Sequence, residues 1–142
     1  MPDITHDDEA VKRLLSGKPR IAVVGASDNP ARDSNRIFLY LRRHGYDVLP
    51  VNPVLKELDG VEAVPDLGAA KSKWGGGIDI VDVFRNSEAA LGVTQEAIAA
   101  GAKSIWYQLG VVNPEAIRLA EQAGMQVVVD RCIKIEHARL VR

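Results

Sequence analysis

Residues 20 to 35 read Arg-Ile-Ala-Val-Val-Gly-Ala-Ser-Asp-Asn-Pro-Ala-Arg-Asp-Ser-Asn, and no other stretch constrains the fold as strongly. The apolar run Ile21 to Val24 has strand length and stops at Gly25-Ala26-Ser27, before a turn at Asn29-Pro30. Ser34 stands where an N-cap would open the amphipathic segment Asn35 to His44. Strand, tight loop and helix N-terminus make a phosphate cradle, because unpaired backbone N–H groups and the positive helix end converge there.

The rest of the chain repeats the alternation. Asp7 to Leu15 reads as a leading helix ended by Gly17 and Pro19, so residues 1–18 form a helical extension to one domain spanning 1–142. Further strands are expected at 47–51, 78–84, 103–107 and 126–129, with helices from a Ser87 cap to about Ala100, from Asn113-Pro114 to Ala123, and over 133–140. Residues 54–77 read as irregular, with turns at Asp59-Gly60, Pro65-Asp66 and Gly75-Gly76-Gly77. Short Val- and Ile-rich strands alternating with helices imply an α/β fold: one doubly wound, Rossmann-like sheet of five parallel strands with helices on both faces. Right-handed crossovers favour the order 3-2-1-4-5, with a ligand crevice where the first and fourth strands part.

Charge and composition narrow the ligand. A net charge of −1 over 142 residues argues against nucleic acid held on a broad basic face, so a phosphate must be gripped by local cations. No apolar run approaches the ~20 residues of a membrane span. The acidic start Met1 to Glu9 lacks the basic and apolar regions of a signal peptide, which makes the cytoplasm the expected location.

A nicotinamide dinucleotide fits poorly. In the register of G-x-G-x-x-G the second and third positions are Ser27 and Pro30, so only Gly25 of the three glycines is present. The ribose-binding acid is also missing: the second strand ends Pro50-Val51-Asn52-Pro53, and Asp47 stands at that strand's start. An NAD(P)-binding oxidoreductase domain is therefore the second reading. Ser27 reads as a turn residue or phosphate donor, because no G-x-S-x-G elbow surrounds it. His44 suits the C-terminal dipole of its helix, and Asp79 and Asp82 are expected to be solvated at an edge or in a loop. Asp130, Cys132 and His137 match no zinc spacing, so no metal site is expected. Cys132, the single cysteine, reads either as a small buried hydrophobe or as a thiol facing a ligand.

Read together, Gly25-Ala26-Ser27, Asn29-Pro30, Arg32, Gly45-Tyr46, Pro50-Val51-Asn52-Pro53, Phe84-Arg85, Trp106 to Val111 and Asp130-Arg131-Cys132 resemble the small stand-alone CoA-binding proteins. These are similar to the CoA-binding domain of the succinyl-CoA synthetase α subunit. The resemblance covers about residues 15 to 140 and implies coenzyme A, or an acyl-CoA, as ligand. It implies that Ser27, Asp28, Asn29 and Pro30 meet CoA phosphates, that Lys56 corresponds to a lysine after the second strand, and that Val83, Phe84 and Arg85 line the site. The synthetase loop is richer in glycine, and its phosphorylated histidine lies in a region without a counterpart here, so no ligase activity is expected.

The residues agree with such a ligand. A diphosphate and a 3′-phosphate require several cations, and Arg32, Arg36, Lys56 and Arg85 all fall near the loops that follow the strands. Gly25, Ala26, Ser34, Asn52 and Pro53 complete the expected site, and Phe84 either stacks on adenine or finishes the core. No catalytic constellation is readable, which leaves a binder, or a subunit whose chemistry needs a protein partner.

Overall fold

A computed structural model describes residues 2–142. Five parallel strands form the sheet: β1 (Arg20–Val24), β2 (Asp47–Val51), β5 (Ile80–Val83), β6 (Ser104–Tyr107) and β7 (Gln126–Val129). Two short strands, β3 (Glu57–Leu58) and β4 (Val61–Glu62), pair as an antiparallel hairpin. The helices are α1 (Asp8–Ser16), α2 (Asp33–Arg43), α3 (Leu67–Trp74), α4 (Ala90–Ala99), α5 (Pro114–Gln122) and α6 (Ile133–Leu140). The doubly wound class expected from the alternation is the class observed.

The strand order is β2-β1-β5-β6-β7. Counted along the chain, the third long strand therefore lies beside the first, with Ile80 opposite Ile21, and not outside the second. Pro50 supplies the physical reason. An interior strand must donate along both edges, and a proline within a strand has no N–H to give, so β2 takes the rim of the sheet. The order 3-2-1-4-5 would have required β2 to pair on both sides. The crevice accordingly moves to the switch point between β1 and β5.

Both rims are covered. Outside β2, the Val64 N–H donates to the Pro50 carbonyl at 3.0 Å and the Asn52 N–H to the Val64 carbonyl at 2.9 Å. Outside β7, the Ile4 N–H donates to Val127 at 2.9 Å and the Val127 N–H to Pro2 at 2.7 Å. These pairings remove the open edges that invite association through unpaired backbone groups.

Side chains alternate across the sheet into two cores. Ala22, Val81, Val83, Ile105 and Val127 pack against α3, α4 and α5, whereas Ile21, Val23, Ile80, Trp106 and Val128 pack against α1, α2 and α6. Residues 54–77, expected to be irregular, contain the hairpin and α3, which Asp66 caps through the Ala69 N–H at 2.8 Å. Ser34 is not a cap. It lies inside α2, whose N-cap is Arg32, because the helix starts two residues earlier than the apolar pattern announces. Ser87 does not cap α4 either, since its hydroxyl donates to Gly110 and accepts from the Val112 N–H.

Asp82 departs furthest from expectation. It is fully buried in the middle of the sheet, between Val23 and Trp106, and among the described residues neither carboxylate oxygen has a hydrogen-bond partner. Burial pushes its pKa well above the ordinary carboxyl value. Only Asp79 behaves nearly as expected, accepting from the Arg20 N–H at 2.8 Å and pairing with Lys103 at the strand's start.

Candidate functional site: a cleft between two helix N-termini

Beyond the C-terminal ends of β1 and β5, the strands part over a cleft of about 1110 Å³. That volume suits a ligand of cofactor size. Gly25 permits the close approach on which the cleft floor depends. Its φ is +90°, and a Cβ there would lie 3.3 Å from the Phe84 Cβ and the Arg85 Cδ. Any other residue is strained in that backbone conformation and crowds the end of β5.

The loop after β1 is pinned by short polar side chains. The Asn29 N–H donates to Ser27 Oγ at 3.0 Å, and the Ala31 N–H to Asn29 Oδ1 at 3.0 Å. The Asn35 side-chain amide holds the Ser27 carbonyl at 2.9 Å, and that of Asn52 holds the Ala26 carbonyl at 2.9 Å. These bonds fix the loop and occupy the Ala26 and Ser27 carbonyls. No protein acceptor meets the Asp33 and Ser34 N–H groups at the first turn of α2 among the described residues. An anion is their natural partner.

Gly25, Ala26, Ser27, Arg32, Ser34, Arg36, Asn52, Phe84 and Arg85 all line the cleft as the sequence led us to expect. The cations differ in freedom. Arg36 donates to the Pro30 carbonyl at 3.0 Å and pairs with Asp33, whereas Arg32 and Arg85 make no ion pair among the described residues. Phe84 is half-buried and lies against the core on the face of Ile80 while also lining the cleft.

Other expected residues stand apart. Asp28, Asn29 and Pro30 are exposed on the loop and shape it without lining the cleft. Pro53 and Lys56 are exposed beyond β2, outside the cleft. Val83 is wholly buried, its side chain in the core on the α4 face, because it occupies an inward position of the strand's alternation.

The far wall was barely visible in the sequence. It consists of Gln108, Leu109 and Gly110 after β6, and Cys132, Lys134 and Ile135 at the start of α6. These segments are cross-braced. Asp130, with φ of +58°, accepts the Gly110 N–H at 2.7 Å, and the Trp106 indole donates to the Arg131 carbonyl at 2.9 Å. The Ile133 N–H, first in α6, donates to Gln108 Oε1 at 3.2 Å. Two helix N-termini therefore face one cavity, which carries Arg32, Arg36, Arg85 and Lys134 against a single carboxylate, Asp33. Such a surplus of cations favours a polyanion. Among the described residues there is no His, Cys, Asp or Glu cluster able to hold a metal, and no helix is long and apolar enough to cross a membrane.

Comparison with known proteins matches this geometry to named relatives. An uncharacterized protein of Bacillus subtilis, YneT, is 42% identical over 128 residues, which cover 90% of this chain and 92% of that one. A hypothetical protein from Pyrococcus horikoshii OT3 superposes with a TM-score of 0.90 at 37% identity, over 100% of this chain and 98% of its own. A dinucleotide-forming acetyl-coenzyme A synthetase of Ca. Korarchaeum cryptofilum, solved with phosphate and ADP, contains a similar region at 28% identity and a TM-score of 0.70. That likeness covers 89% of this chain but 27% of the synthetase. A family model described as the CoA binding domain matches residues 19–138, and the chain belongs to that family.

Proposed function

We propose that the cleft binds coenzyme A or an acyl-CoA and that the chain is a binder without catalytic chemistry of its own. One observation carries the reading: Arg32 and Arg85, both free of ion pairs among the described residues, flank a helix N-terminus at the sheet's switch point. Guanidinium groups and first-turn amides are the groups that hold phosphates. The diphosphate is assigned to the Ser27 loop and the first turn of α2, with Arg32 and Arg85 in reach of the phosphate oxygens. Ser27 reads as a loop residue here, because its oxygen accepts the Asn29 N–H and, among the described residues, no base forms a hydrogen bond to it. A CoA ligand implies the cytoplasm as the setting, and a protein partner is needed only if the bound acyl group is to react.

The competing reading, a nicotinamide dinucleotide, lacks a carboxylate at the end of β2, where Asn52 Oδ1 instead accepts the Val54 N–H at 2.8 Å. Calorimetry with CoA, NAD, NADP and FAD decides between them. CoA is expected to bind most tightly. A nicotinamide nucleotide binding about tenfold tighter than CoA, a difference near 1.4 kcal/mol, would overturn the proposal.

A further inference from the structure

Cys132 and Gln108 form a second pole of the cleft that the phosphate argument does not use. Cys132 lines the cavity as the N-cap of α6, is 9% exposed, and makes no side-chain capping bond.

Gln108 is an independent pointer to a ligand. Its side chain is only 5% exposed, yet it lines the cavity. Its oxygen is occupied by the Ile133 N–H, while its amide nitrogen donates to no protein group among the described residues and is not sealed off from the cavity. An amide N–H that no protein group accepts, set in the cavity wall and open to the cavity, is a donor available to a ligand carbonyl. The pantetheine arm of CoA carries amide carbonyls a few bonds from its sulfur. Because Gln108 is tied to Ile133, a carbonyl held by its amide brings that sulfur toward the adjacent Cys132.

Resting on the CoA reading, we propose that Cys132 is a thiol–disulfide exchange site for CoA, whose pantetheine arm Gln108 positions. The Cys132 thiol loses its proton and attacks one sulfur of CoA disulfide. The Sγ–S bond forms as the disulfide S–S bond breaks, and the departing CoA thiolate takes up the proton. The products are a Cys132–CoA mixed disulfide and one CoA thiol, with the CoA disulfide as the oxidant.

The test uses the full chain, first reduced and then freed of reductant. Calorimetry with CoA thiol checks the underlying reading by itself. Intact-mass spectrometry then follows the reaction with CoA disulfide, and with glutathione disulfide at the same concentration. The expected result is one reductant-reversible CoA adduct, mapped to Cys132, forming about tenfold or more faster than the glutathione adduct because binding raises the local concentration. Cys132→Ser should form no adduct. Gln108→Leu should slow the CoA reaction about tenfold and leave the glutathione reaction unchanged. If the parent binds CoA yet forms no adduct, or reacts equally fast with both disulfides, the exchange inference falls and the CoA reading stands. If calorimetry shows no CoA binding, both fall.

Discussion

The two faces of the sheet are built to different standards. The face under α3, α4 and α5 is closed by small apolar side chains, and its buried Thr94 is satisfied by the Ala90 carbonyl and the Tyr107 hydroxyl at 2.8 and 2.6 Å. The face under α1, α2 and α6 carries the partnerless Asp82 and a Tyr40–His137 bond at 2.7 Å, and its core residues reach the cleft at Ala26, Ile37, Phe84 and Cys132. The difference teaches that the irregular, polar half of this fold supplies most of the core residues that reach the cleft, with Val111 the exception from the closed face. A sheet holds its strand ends rigidly when one face is fully packed, which leaves the other free to depart from good packing.

The sharpest way to break this contrast is to move a carboxyl across the sheet. Val81 and Asp82 are neighbours on β5 with side chains on opposite faces, both fully buried. Val81→Asp puts an unpartnered acid into the closed face and should cost about 4 kcal/mol, a large share of the stability of a domain of this size. Chemical denaturation measures it. A loss under about 1 kcal/mol would show that the closed face tolerates a polar group as well as the other does.

The next effect concerns the cleft. Arg32→Ala and Arg85→Ala should each weaken CoA by about ten- to a hundredfold, since a hydrogen bond to a charged group contributes roughly 1.5–3 kcal/mol. Arg42→Ala, whose side chain pairs with Asp59 at 3.2 Å away from the cleft, should leave affinity unchanged and serves as the control. A CoA analogue lacking the 3′-phosphate should bind one arginine variant as well as CoA does, and so assign that phosphate. Parent-like affinity in both variants, with the fold intact, would remove the proposed phosphate site.

Replacing the buried acid by the residue its neighbours use should have the opposite sign. Asp82→Val is expected to stabilise the protein by about 1–3 kcal/mol at pH 7, because it removes an unpaired buried polar group. The folded carboxyl titrates well above its unfolded counterpart. As pH rises past about 4, the unfolded chain therefore ionises at this position and the folded chain does not, so stability falls. The gain from Asp82→Val should thus shrink as pH drops below about 4, where both states are protonated. A variant less stable than the parent at pH 7 would mean that the carboxyl has a partner, such as a buried water.

Legibility in the sequence followed the same division. The strand–loop–helix at Arg20 to Asn35 and the alternation after it sufficed for the α/β class, because those signals are local. The strand order was readable too, through Pro50, but its missing N–H outweighs the usual order only once β2 is asked to pair on both sides. Most of the near wall of the cleft was visible because the continuous segment Gly25 to Arg36 builds much of it, with Asn52, Phe84 and Arg85 joining from the neighbouring strand ends. The far wall was legible only in part: Cys132 could be read as a thiol facing a ligand, but Gln108 joins it only after β6 and β7 pair and the Ile133 N–H finds the glutamine. Asp82 was misjudged because a strand position gives a residue's face without saying how deep that face lies.

The smallest expected effect probes the polar side of the open face from below. His137 is 4% exposed in α6, accepts from or donates to the Tyr40 hydroxyl through Nδ1, and stacks edgewise on His44, Tyr40 and Tyr46. Burial lowers its proton affinity below the usual imidazole value, and His44, Lys18 and Arg142 add to the effect. The folded state thus resists a proton that the unfolded chain accepts. The contribution is intact above the unfolded imidazole pKa of about 6.5 and is lost as pH falls through the folded value, a window on the acid side of neutrality. His137→Gln retains a group that can bond Tyr40 while removing the titration. Thermal midpoints measured between pH 7 and about 5 should therefore fall for the parent and change less for the variant. If both fall in parallel, the acid sensitivity of this face lies in other groups, and the contrast between the two faces rests on Asp82 and the cleft alone.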